Sequence, residues 1–466
     1  MTAHVAIIGA GLSGLAAAVE LRSRGLEVTV LEATERAGGP IHTVRRDGFI
    51  IDAGPDSFLS TKPGGIWFAE QLGIDDQIVD TRPDGGGTYI VHDGHMEPLP
   101  EGITMLVPTQ FRQILESPLL DLSGKARLLA EYFIPAKRGD QDESVASFMS
   151  RRVGRQAFEN LAEPLLSGIY AGDARRLSIL STFPRLREAE KRNGGLIRSA
   201  LATRRATPGS PAAQRRHTPF VSFRHGLATI IDSAIEEVGR DRIKFATPVE
   251  SIEDREDGYR LIIADSDPLE VDAVIAATPS FATGKLLSKI APEASKLLGS
   301  IPYVSSATVS MAFRESEVPV NEGGRGFVVP RVEGFDLTAA TWSSRKFGGR
   351  APEGTLLLRG FVGRAGNEEP AFLPDEQVIE IVRRDLGKIT GIHADPLFAT
   401  VFRWHKAMPQ YHIGHGDLVE RIRKQTAILP NLALVGAPYE GVGIPDCISM
   451  STYAAARLAE GLLDRA

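Results

Sequence analysis

The chain opens with an apolar strand pattern that leads directly into a glycine-rich turn. Residues Val5 to Ile8 are apolar, and residues Gly9 to Gly14 read GAGLSG. A second apolar run, Glu27 to Leu31, predicts the next strand. The order strand, tight turn, helix and strand is typical of a dinucleotide-binding βαβ unit.

Each glycine of this turn has a separate physical role in such a unit. Gly9 permits the tight turn, Gly11 lets the backbone approach a pyrophosphate, and Gly14 lets the helix lie close to the strand. The free N–H groups at the start of the helix then face the phosphates. Glu32, directly after the second strand, is placed to accept hydrogen bonds from ribose hydroxyls.

Apolar and alternating runs predict further strands and helices along the chain. The predicted strands are residues 49–51, 87–91, 96–99, 243–245, 259–264, 271–276, 306–313, 326–329, 355–361 and 432–435. Between them, residues 109–201 read as helical, with helix starts at Ser123 and Ser144. A final helix is predicted to begin near Ser449.

Length and cysteine content narrow the class of protein. A chain of 466 residues with 42% hydrophobic residues can bury a large core and should form two or three domains. The single cysteine, Cys447, excludes an internal disulfide, a CxxC redox pair and a cysteine zinc site. With no long uncharged apolar stretch and no basic leader ahead of an apolar run, we expect a cytoplasmic protein.

The net charge of −6 hides one strongly basic region, residues 174–216. Its cations are Arg175, Arg176, Arg185, Arg187, Lys191, Arg192, Arg198, Arg204, Arg205, Arg215 and Arg216. Within it, residues 203–219 read as a mobile exposed loop. Three interpretations stay open: a solvated face, a peripheral contact with anionic membrane, or a docking surface for an acidic substrate or partner. Nucleic acid is disfavoured, because no aromatic platform accompanies the charge.

The residues after the second strand extend the nucleotide motif. Glu32, Arg36, Gly38 and Gly39 spell ExxxRxGG, which resembles the flavin-binding amine oxidase superfamily rather than the nicotinamide dehydrogenases. The resemblance implies one non-covalent FAD, with two more glycines giving backbone N–H groups access to the diphosphate.

Four later segments resemble the porphyrinogen oxidases within that superfamily. They are Gly54–Phe58, Glu143–Ser178, Arg403–His415 and Val435–Ile448. In that family, FAD oxidises a porphyrinogen to a porphyrin, removing six electrons in three two-electron steps, with oxygen as the usual acceptor and hydrogen peroxide as by-product. With a single dinucleotide fingerprint, oxygen is the simplest acceptor here.

The resemblance also implies a substrate and a place in haem biosynthesis. The segment Gly443–Cys447 resembles the bacterial branch acting on coproporphyrinogen III, so we expect coproporphyrin III as product; protoporphyrinogen IX is the alternative. Two rivals remain open, an FAD amine oxidase and a non-catalytic flavin scaffold that docks to a haem-pathway partner. Anaerobic reduction of the flavin by substrate would separate an oxidase from a scaffold.

The site residues follow from the same resemblance. Gly168, Ile169 and Tyr170 are expected to form a loop against the macrocycle, where a glycine allows close approach and a carbonyl accepts a pyrrole N–H. A helix C-cap glycine followed by a core tyrosine is the alternative interpretation. The expected FAD-binding residues are Gly9, Ala10, Gly11, Leu12, Ser13, Gly14, Glu32, Ala33, Arg36, Gly39, Gly54, Pro55, Asp56, Ser57, Val249, Trp404, Gly436, Val442, Gly443, Ile444 and Pro445.

The predicted fold is α/β plus α+β: a discontinuous Rossmann-like FAD-binding domain, a β-rich substrate domain and a helical insert. The expected boundaries are 1–62, 222–285 and 400–466 for FAD, 63–108 and 286–399 for substrate, and 109–221 for the insert.

A few tempting residues receive other interpretations. His412 and His415 lack a third ligand in view, so no metal site is predicted, and Cys447 is expected to be a small core residue. Plant and animal relatives carry a basic residue near the position of Thr88. The propionate anchor is therefore expected elsewhere, at Arg345, Lys346 or the basic loop, unless the Thr88 hydroxyl serves.

Overall fold

The computed structural model describes residues 2–100, 103–104, 107–108, 111–206, 216–319 and 324–464. The strands, in chain order, are β1 His4–Ile8, β2 Glu27–Leu31, β3 Thr43–Arg46, β4 Phe49–Asp52, β5 Phe58–Leu59, β6 Ile78–Asp80, β7 Thr88–His92, β8 His95–Pro98, β9 Ile103–Thr104, β10 Val107–Pro108, β11 Phe220–Phe223, β12 Ile243–Lys244, β13 Val249–Arg255, β14 Gly258–Ile263, β15 Leu269–Val271, β16 Ala273–Ala276, β17 Tyr303–Arg314, β18 Gly326–Val328, β19 Leu337–Trp342, β20 Thr355–Val362, β21 Phe398–Pro409 and β22 Leu432–Leu434.

The helices, in chain order, are α1 Leu12–Ser23, α2 Pro63–Gln71, α3 Phe111–Glu116, α4 Leu122–Leu129, α5 Val145–Val153, α6 Arg155–Ala157, α7 Glu163–Tyr170, α8 Ile179–Thr182, α9 Pro184–Asn193, α10 Leu196–Ala206, α11 Thr229–Val238, α12 Ser280–Leu286, α13 Pro292–Gly299, α14 Ser343–Lys346, α15 Asp375–Thr390, α16 His415–Thr426 and α17 Ile444–Leu463. A π-helical turn at Phe158–Ala162 joins α6 to α7. In the described part of the chain, no helix is both long and apolar enough to cross a membrane.

A five-stranded parallel sheet in the order β12-β2-β1-β16-β22 carries the nucleotide motif. Val5 and Ile7 of β1 pack with α1, α11 and α17, whereas Ala6 and Ile8 pack on the opposite face with β14 and α13. Because both faces of the sheet are buried, its strands read as continuous apolar runs. The predicted Rossmann-like unit is confirmed.

The second large sheet is a seven-stranded mixed sheet in the order β21-β17-β20-β19-β18-β7-β8. Val309, Met311 and Leu358 lie on one face and pack against Val378 and Val382 of α15. Successive strand residues point to opposite sides of a sheet, so the residues between them face the FAD-binding side. That second face forms one wall of the site described below.

Helices α4 to α10, the predicted insert, contribute most of one apolar cluster, which Ile90 and Tyr411 complete, and they contain a buried ionic network. Arg152 and Glu131 are both fully buried, and Arg152 Nε donates to Glu131 Oε1 at 2.7 Å. The Glu131 carboxylate also accepts from the N–H groups of Leu196 and Ile197, at 2.7 and 3.0 Å, at the start of α10. Glu190 adds a second buried carboxylate to the same network. These contacts tie helices distant in sequence into one body.

Some predicted boundaries are wrong for identifiable reasons. The final helix begins at Ile444 rather than near Ser449, because Pro445 suits the first helical turn, where no N–H is needed. Helix α4 begins one residue before Ser123, with Asp121 as the cap. Ser144 does cap α5, where its Oγ accepts from the Ser147 N–H at 3.0 Å.

Two observations bear on the predicted domain limits. Strand β21 pairs with β17 in the seven-stranded sheet, although the predicted limit assigns residues 400–409 to the FAD-binding domain. Strand β11 pairs with both β5 and β6, and the predicted limit at residue 222 falls inside it. The other limits stay a prediction.

Candidate functional site

The glycine turn after β1 leaves an open space at the start of α1. A Cβ on Gly14 would lie 1.9 Å from the Gly9 carbonyl oxygen, and a Cβ on Gly9 would lie 2.9 Å from the Ala277 oxygen. Gly11 precedes the helix, and no atom beyond its chain neighbours lies within 4 Å of the position that a Cβ would take there. Helix and strand are thus in close contact, while the helix end faces room for a diphosphate.

A second glycine turn lies beside the first. The Gly38 N–H donates to the Ala10 carbonyl at 2.8 Å, and Gly39 has a φ of 56° with its Cβ position 3.8 Å from the Gly11 Cα. Arg36 supports this turn, since its Nη2 donates to the Gly39 carbonyl at 2.6 Å. Burial lowers the pKa of the Arg36 guanidinium, against the opposing effect of Glu32.

Glu32 occupies the end of β2, half-buried beside the turn. Its Oε2 accepts from the Ala10 N–H at 2.8 Å, and its Oε1 accepts from the Thr34 N–H at 2.9 Å. The Thr247 N–H donates to the Glu32 carbonyl at 2.8 Å, which brings the segment leading into Val249 alongside. Ala33 follows Glu32 and is exposed. The carboxylate is therefore held against the glycine turn, and its contact with a ribose stays a prediction.

The remaining residues predicted on this side lie at the starts of α1 and α17. Leu12 and Ser13 are buried in the first turn of α1, and the Ser13 Oγ lies 3.7 Å from the Gly436 Cβ position. Gly443 caps α17, so Ile444 and Pro445 form its first turn and the positive end of its dipole. Val442, just before it, packs against the helical insert.

The segment after β4 passes between the two sheets. A Cβ on Gly54 would lie 1.9 Å from the Pro40 carbonyl oxygen and 3.4 Å from the Trp404 ring. The Trp404 indole N–H donates to the Ala53 carbonyl at 3.3 Å, which fixes the ring against this segment. Only glycine fits at position 54, and the tryptophan closes one side of the space beside it.

Asp56 and Ser57 use their side chains inside the protein. The Asp56 carboxylate pairs with Lys346 Nζ at 2.8 Å and with Arg359 Nη2 at 3.1 Å, and the Ser57 Oγ donates to Asp56 at 2.7 Å. Burial alone would raise the pKa of Asp56, but the Lys346 and Arg359 cations hold it well below its usual range. Asp56, Ser57 and Pro55 would therefore contact a cofactor through their backbone.

Side chains of the seven-stranded sheet donate hydrogen bonds to the carbonyl groups of the same segment. Arg359 Nη1 donates to the carbonyls of Asp52 and Gly54, at 2.6 and 2.5 Å. The Thr308 Oγ1 donates to the Ala53 carbonyl at 2.7 Å. Sequence reasoning missed Arg359, although a lone cation within the apolar strand LLLRGFV was a usable signal.

Residues Gly168, Ile169 and Tyr170 form the last turn of α7, which corrects the predicted loop. Gly168 and Ile169 are exposed, and no atom lies within 4 Å of the Gly168 Cβ position. The Tyr170 ring is buried beside Phe183 and Tyr411. Tyr170 is thus the core tyrosine of the alternative interpretation, whereas Gly168 is not a C-cap: the positive φ of 47° falls on Ala171.

The residues suggested as propionate anchors differ in whether protein groups already engage their side chains. Lys346 is engaged by Asp56 and Ser57, so it is not available as predicted. Thr88 is exposed at the start of β7, and Arg345 lines a cavity of about 420 Å³ together with Arg82 and Glu315.

The basic loop of residues 203–219 is described only in part. Residues 203–206 belong to α10 and are helical, which corrects the predicted loop there. Residues 207–215, with Arg215, lie outside the described residues, as do the side chains of Arg204 and Arg205. Arg216 pairs with Glu70 and Asp75, at 3.8 and 3.6 Å.

The remaining ionisable candidates have structural partners. His415 stacks on Tyr411 with a centroid distance of 4.1 Å, and burial lowers its pKa to about 4. Burial raises the pKa of the Cys447 thiol to about 12. Among the described residues, His92, Asp93 and Glu333 bring three ligand atoms within 4.8 Å, but both Glu333 oxygens already accept backbone N–H groups of the hairpin turn.

The described residues fit a flavin dinucleotide. Open space lies at Gly11, where two glycine turns and a helix end converge, and a carboxylate lies where a ribose would be bound. From there, the carboxyl ends of β1 and β16 lead to the start of α17 and to Trp404. This is the crevice at which doubly wound sheets bind nucleotides.

Comparisons with known proteins agree with this geometry. Residues 12–459 match the family model described as flavin containing amine oxidoreductase. The chain is 37% identical to the coproporphyrinogen III oxidase of Bacillus subtilis (strain 168), covering 97% of each chain. It is 35% identical to the coproporphyrinogen III oxidase of Staphylococcus aureus, covering 98% of each. A solved structure from Exiguobacterium sp. 255-15, provisionally described as a protoporphyrinogen oxidase, shares 31% identity with a TM-score of 0.87 and 99% coverage of both chains.

Proposed function

The chain belongs to the flavin containing amine oxidoreductase family, and from that premise we propose that it oxidises coproporphyrinogen III to coproporphyrin III with a bound FAD. The observation that carries the proposal is similarity over nearly the whole chain to two bacterial coproporphyrinogen III oxidases. The resemblance of Gly443–Cys447 to that branch supports the same substrate.

The proposed reaction removes six electrons and six protons from the porphyrinogen. The FAD, when bound, supplies a two-electron oxidant, so three cycles are needed, and three O₂ would become three H₂O₂. The chain's own residues then orient the substrate and shield it from water. Trp404 and Gly54 line one side of the space, and Gly168 and Ile169 are exposed in the last turn of α7. Orientation of this kind supplies much of the catalysis when a cofactor carries the chemistry.

Protoporphyrinogen IX oxidation is the second candidate, favoured by the provisional description of the Exiguobacterium structure. The two substrates differ in charge, because coproporphyrinogen carries four propionates and protoporphyrinogen two. Comparing kcat/KM for the two under oxygen, with hydrogen peroxide measured alongside the porphyrin, decides between them. A kcat/KM higher for protoporphyrinogen would reverse the assignment.

An amine oxidase and a non-catalytic scaffold are tested by the same preparation. An amine oxidase usually holds its substrate in an aromatic cage before the flavin, and Tyr439, the aromatic residue of segment 437–442, is buried with the sheet residues Leu432 and Leu434. It therefore gives little support to an aromatic cage. Anaerobic mixing with coproporphyrinogen should bleach the flavin. Bleaching by a primary amine instead would favour the amine oxidase, and an unbleached flavin would favour the scaffold.

We also propose a cytoplasmic enzyme with a weak peripheral membrane contact through the insert. Leu122 is 86% exposed and Phe133 is 78% exposed, and the exposed Tyr132 ring lies under Arg198. Apolar residues beside cations suit an anionic membrane surface or a haem-pathway enzyme. Co-sedimentation with phosphatidylglycerol vesicles tests the membrane; failure to sediment would leave the patch to a protein partner.

A further inference from the structure

Three consecutive carbonyl groups at the end of α7 are held from outside the helical insert. Each accepts one hydrogen bond from the sheet side of the molecule. The pairs are Tyr170 with Gln410 Nε2 at 2.8 Å, Ala171 with the Ala365 N–H at 2.7 Å, and Gly172 with Arg331 Nη2 at 2.8 Å. The position of the exposed Gly168–Ile169 turn is therefore set across the junction between insert and sheet.

Gln410 is the more deeply buried of the two side-chain donors in these pairs. It follows β21 directly, is 1% exposed, and its backbone N–H donates to the Pro302 carbonyl at 2.9 Å. A Cβ on Gly172 would lie 2.5 Å from the Gln410 Oε1, so this amide fits only beside a glycine. The side chain and the segment it holds are closely fitted to each other.

The amide of Gln410 is only half used. Its Nε2 donates to the Tyr170 carbonyl, whereas its Oε1 is buried with no hydrogen-bond partner. An unpaired buried acceptor destabilises a protein, and methionine would fill the same volume without it, but methionine would leave the Tyr170 carbonyl without this donor. The N–H donor to the Tyr170 carbonyl is therefore the feature of glutamine that a methionine cannot replace.

We infer that Gln410 is a positioning residue, which holds the Tyr170 carbonyl and thereby sets the distance of Gly168 and Ile169 from the substrate. The inference rests on the proposed porphyrinogen oxidation. Gln410 is 1% exposed and its amide lies against Tyr170 and Gly172, so it acts through that segment.

Two substitutions separate the donor from the shape of the side chain. Gln410→Met keeps the volume and removes the donor at every pH. Gln410→Glu has a donor only while the carboxyl is protonated, and burial raises the pKa of such a group. We expect kcat to fall about 100-fold in Gln410→Met, with KM within about threefold, because a small misplacement near the reacting atoms costs about this much. Gln410→Glu should recover activity as the pH is lowered.

Other charged groups face this position and must be controlled for. Arg331 reaches Gly172, Asp446 lies near both Tyr170 and Tyr411, and Arg176 and Asp173 lie near His412. Wild type is therefore assayed at each pH, and the ratio of variant to wild type is the measured quantity. Gln156→Glu, on α6, where the amide oxygen accepts from the Asp121 N–H, is the control and should show no such recovery.

A second readout is independent of activity. Hydrogen exchange of the peptide covering residues 165–173 should be faster in Gln410→Met than in wild type, with unchanged FAD content. Unchanged exchange, a kcat within twofold of wild type, or loss of FAD from both variants at every pH would overturn the inference. A wild type inactive on coproporphyrinogen would instead refute the proposed function, while the exchange result would still stand.

Discussion

The nucleotide cradle and the helical insert obtain their shapes in opposite ways. The cradle, formed by Gly9, Gly11, Gly14 and Gly39, is defined by missing side chains and by hydrogen bonds between backbone groups. The insert is held by side chains that are fully buried and charged, such as Arg152 and Glu131. The cradle is therefore broken by adding atoms, and the insert by removing them.

The two regions also differ in the sequence distance of their contacts. Glu32 reaches Ala10 across 22 residues, within a single βαβ unit, whereas Glu131 reaches Leu196 across 65 residues. Residues that contact each other within one βαβ unit are separated by a fixed number of positions in the sequence. Residues of a long-range ionic network have no such fixed separation. The difference explains why one region carries a recognisable motif and the other does not.

The largest expected effect comes from adding atoms to the cradle. Gly11→Val places a branched side chain in the open space in front of α1, so FAD binding should be lost. The purified variant should be colourless. Gly461→Val, where a Cβ also meets no atom within 4 Å, is the control and should stay yellow.

The wild-type chromophore gives a related test of non-covalent binding. Because Cys447 is a buried thiol with a raised pKa, no tether to the flavin is expected. Denaturation should release the flavin intact. Flavin that remained attached to peptide would contradict non-covalent binding. FAD binding by Gly11→Val would contradict the assignment of the glycine turns as the FAD site.

The next largest effect comes from removing a charge in the insert. Arg152→Met leaves the Glu131 carboxylate buried without its cation, which costs about 3–5 kcal/mol when a buried pair is broken. The free energy of unfolding, measured by urea titration, should fall by that amount. Arg155→Met, whose side chain is 81% exposed beside Glu159, should change it by less than about 1 kcal/mol. Equal effects of the two substitutions would contradict a structural role for the buried network.

Sequence reasoning worked best where a residue's role is fixed by its near neighbours. The turn at Gly9–Gly14 and the cap at Ser144 were both predicted, because each depends on residues within a few turns or one βαβ unit. The phenol of Tyr170 was placed in the site and lies in the core, because its burial depends on Tyr411, far along the chain. No local pattern carries that pairing.

The junction between the sheets shows the same limit. Asp56 was predicted to bind the cofactor, but its partners Lys346 and Arg359 come from helix α14 and strand β20. A sequence shows a carboxylate near a flavin motif, and it does not show that two cations arrive from nearly three hundred residues away. Gln410 was noted only as part of a motif for the same reason.

A smaller effect is expected at this junction, with a defined pH dependence. The folded pKa of Asp56 is depressed by Lys346 and Arg359, so its contribution to stability is present above its unfolded pKa, about 4, and is lost as the pH falls. Asp56→Asn should lower the free energy of unfolding by about 3 kcal/mol at pH 7. The difference from wild type should narrow below about pH 4. A gap independent of pH would assign the loss to packing rather than to the ion pairs.

The smallest expected effect concerns the basic residues of segment 203–219. If they steer a substrate with four carboxylates, replacing Arg204, Arg205, Arg215 and Arg216 by glutamine should raise KM up to about tenfold at low ionic strength. Exposed charges are screened within about 10 Å at 0.1 M salt, so the variant's KM should also depend less on salt than that of wild type. The kcat should change little, because uniform binding rather than the chemical step is affected.

A single substitution sharpens this last test. Arg216 is 69% exposed and its pairs with Glu70 and Asp75 are long, so they stabilise the fold by about 1 kcal/mol at most. Arg216→Gln should therefore leave the unfolding free energy almost unchanged while contributing its share of the KM increase. An unchanged KM at low salt in the fourfold variant would assign the basic region to a membrane, a protein partner or plain solvation. The search for the propionate anchor would then move to Arg345 and to the exposed hydroxyl of Thr88.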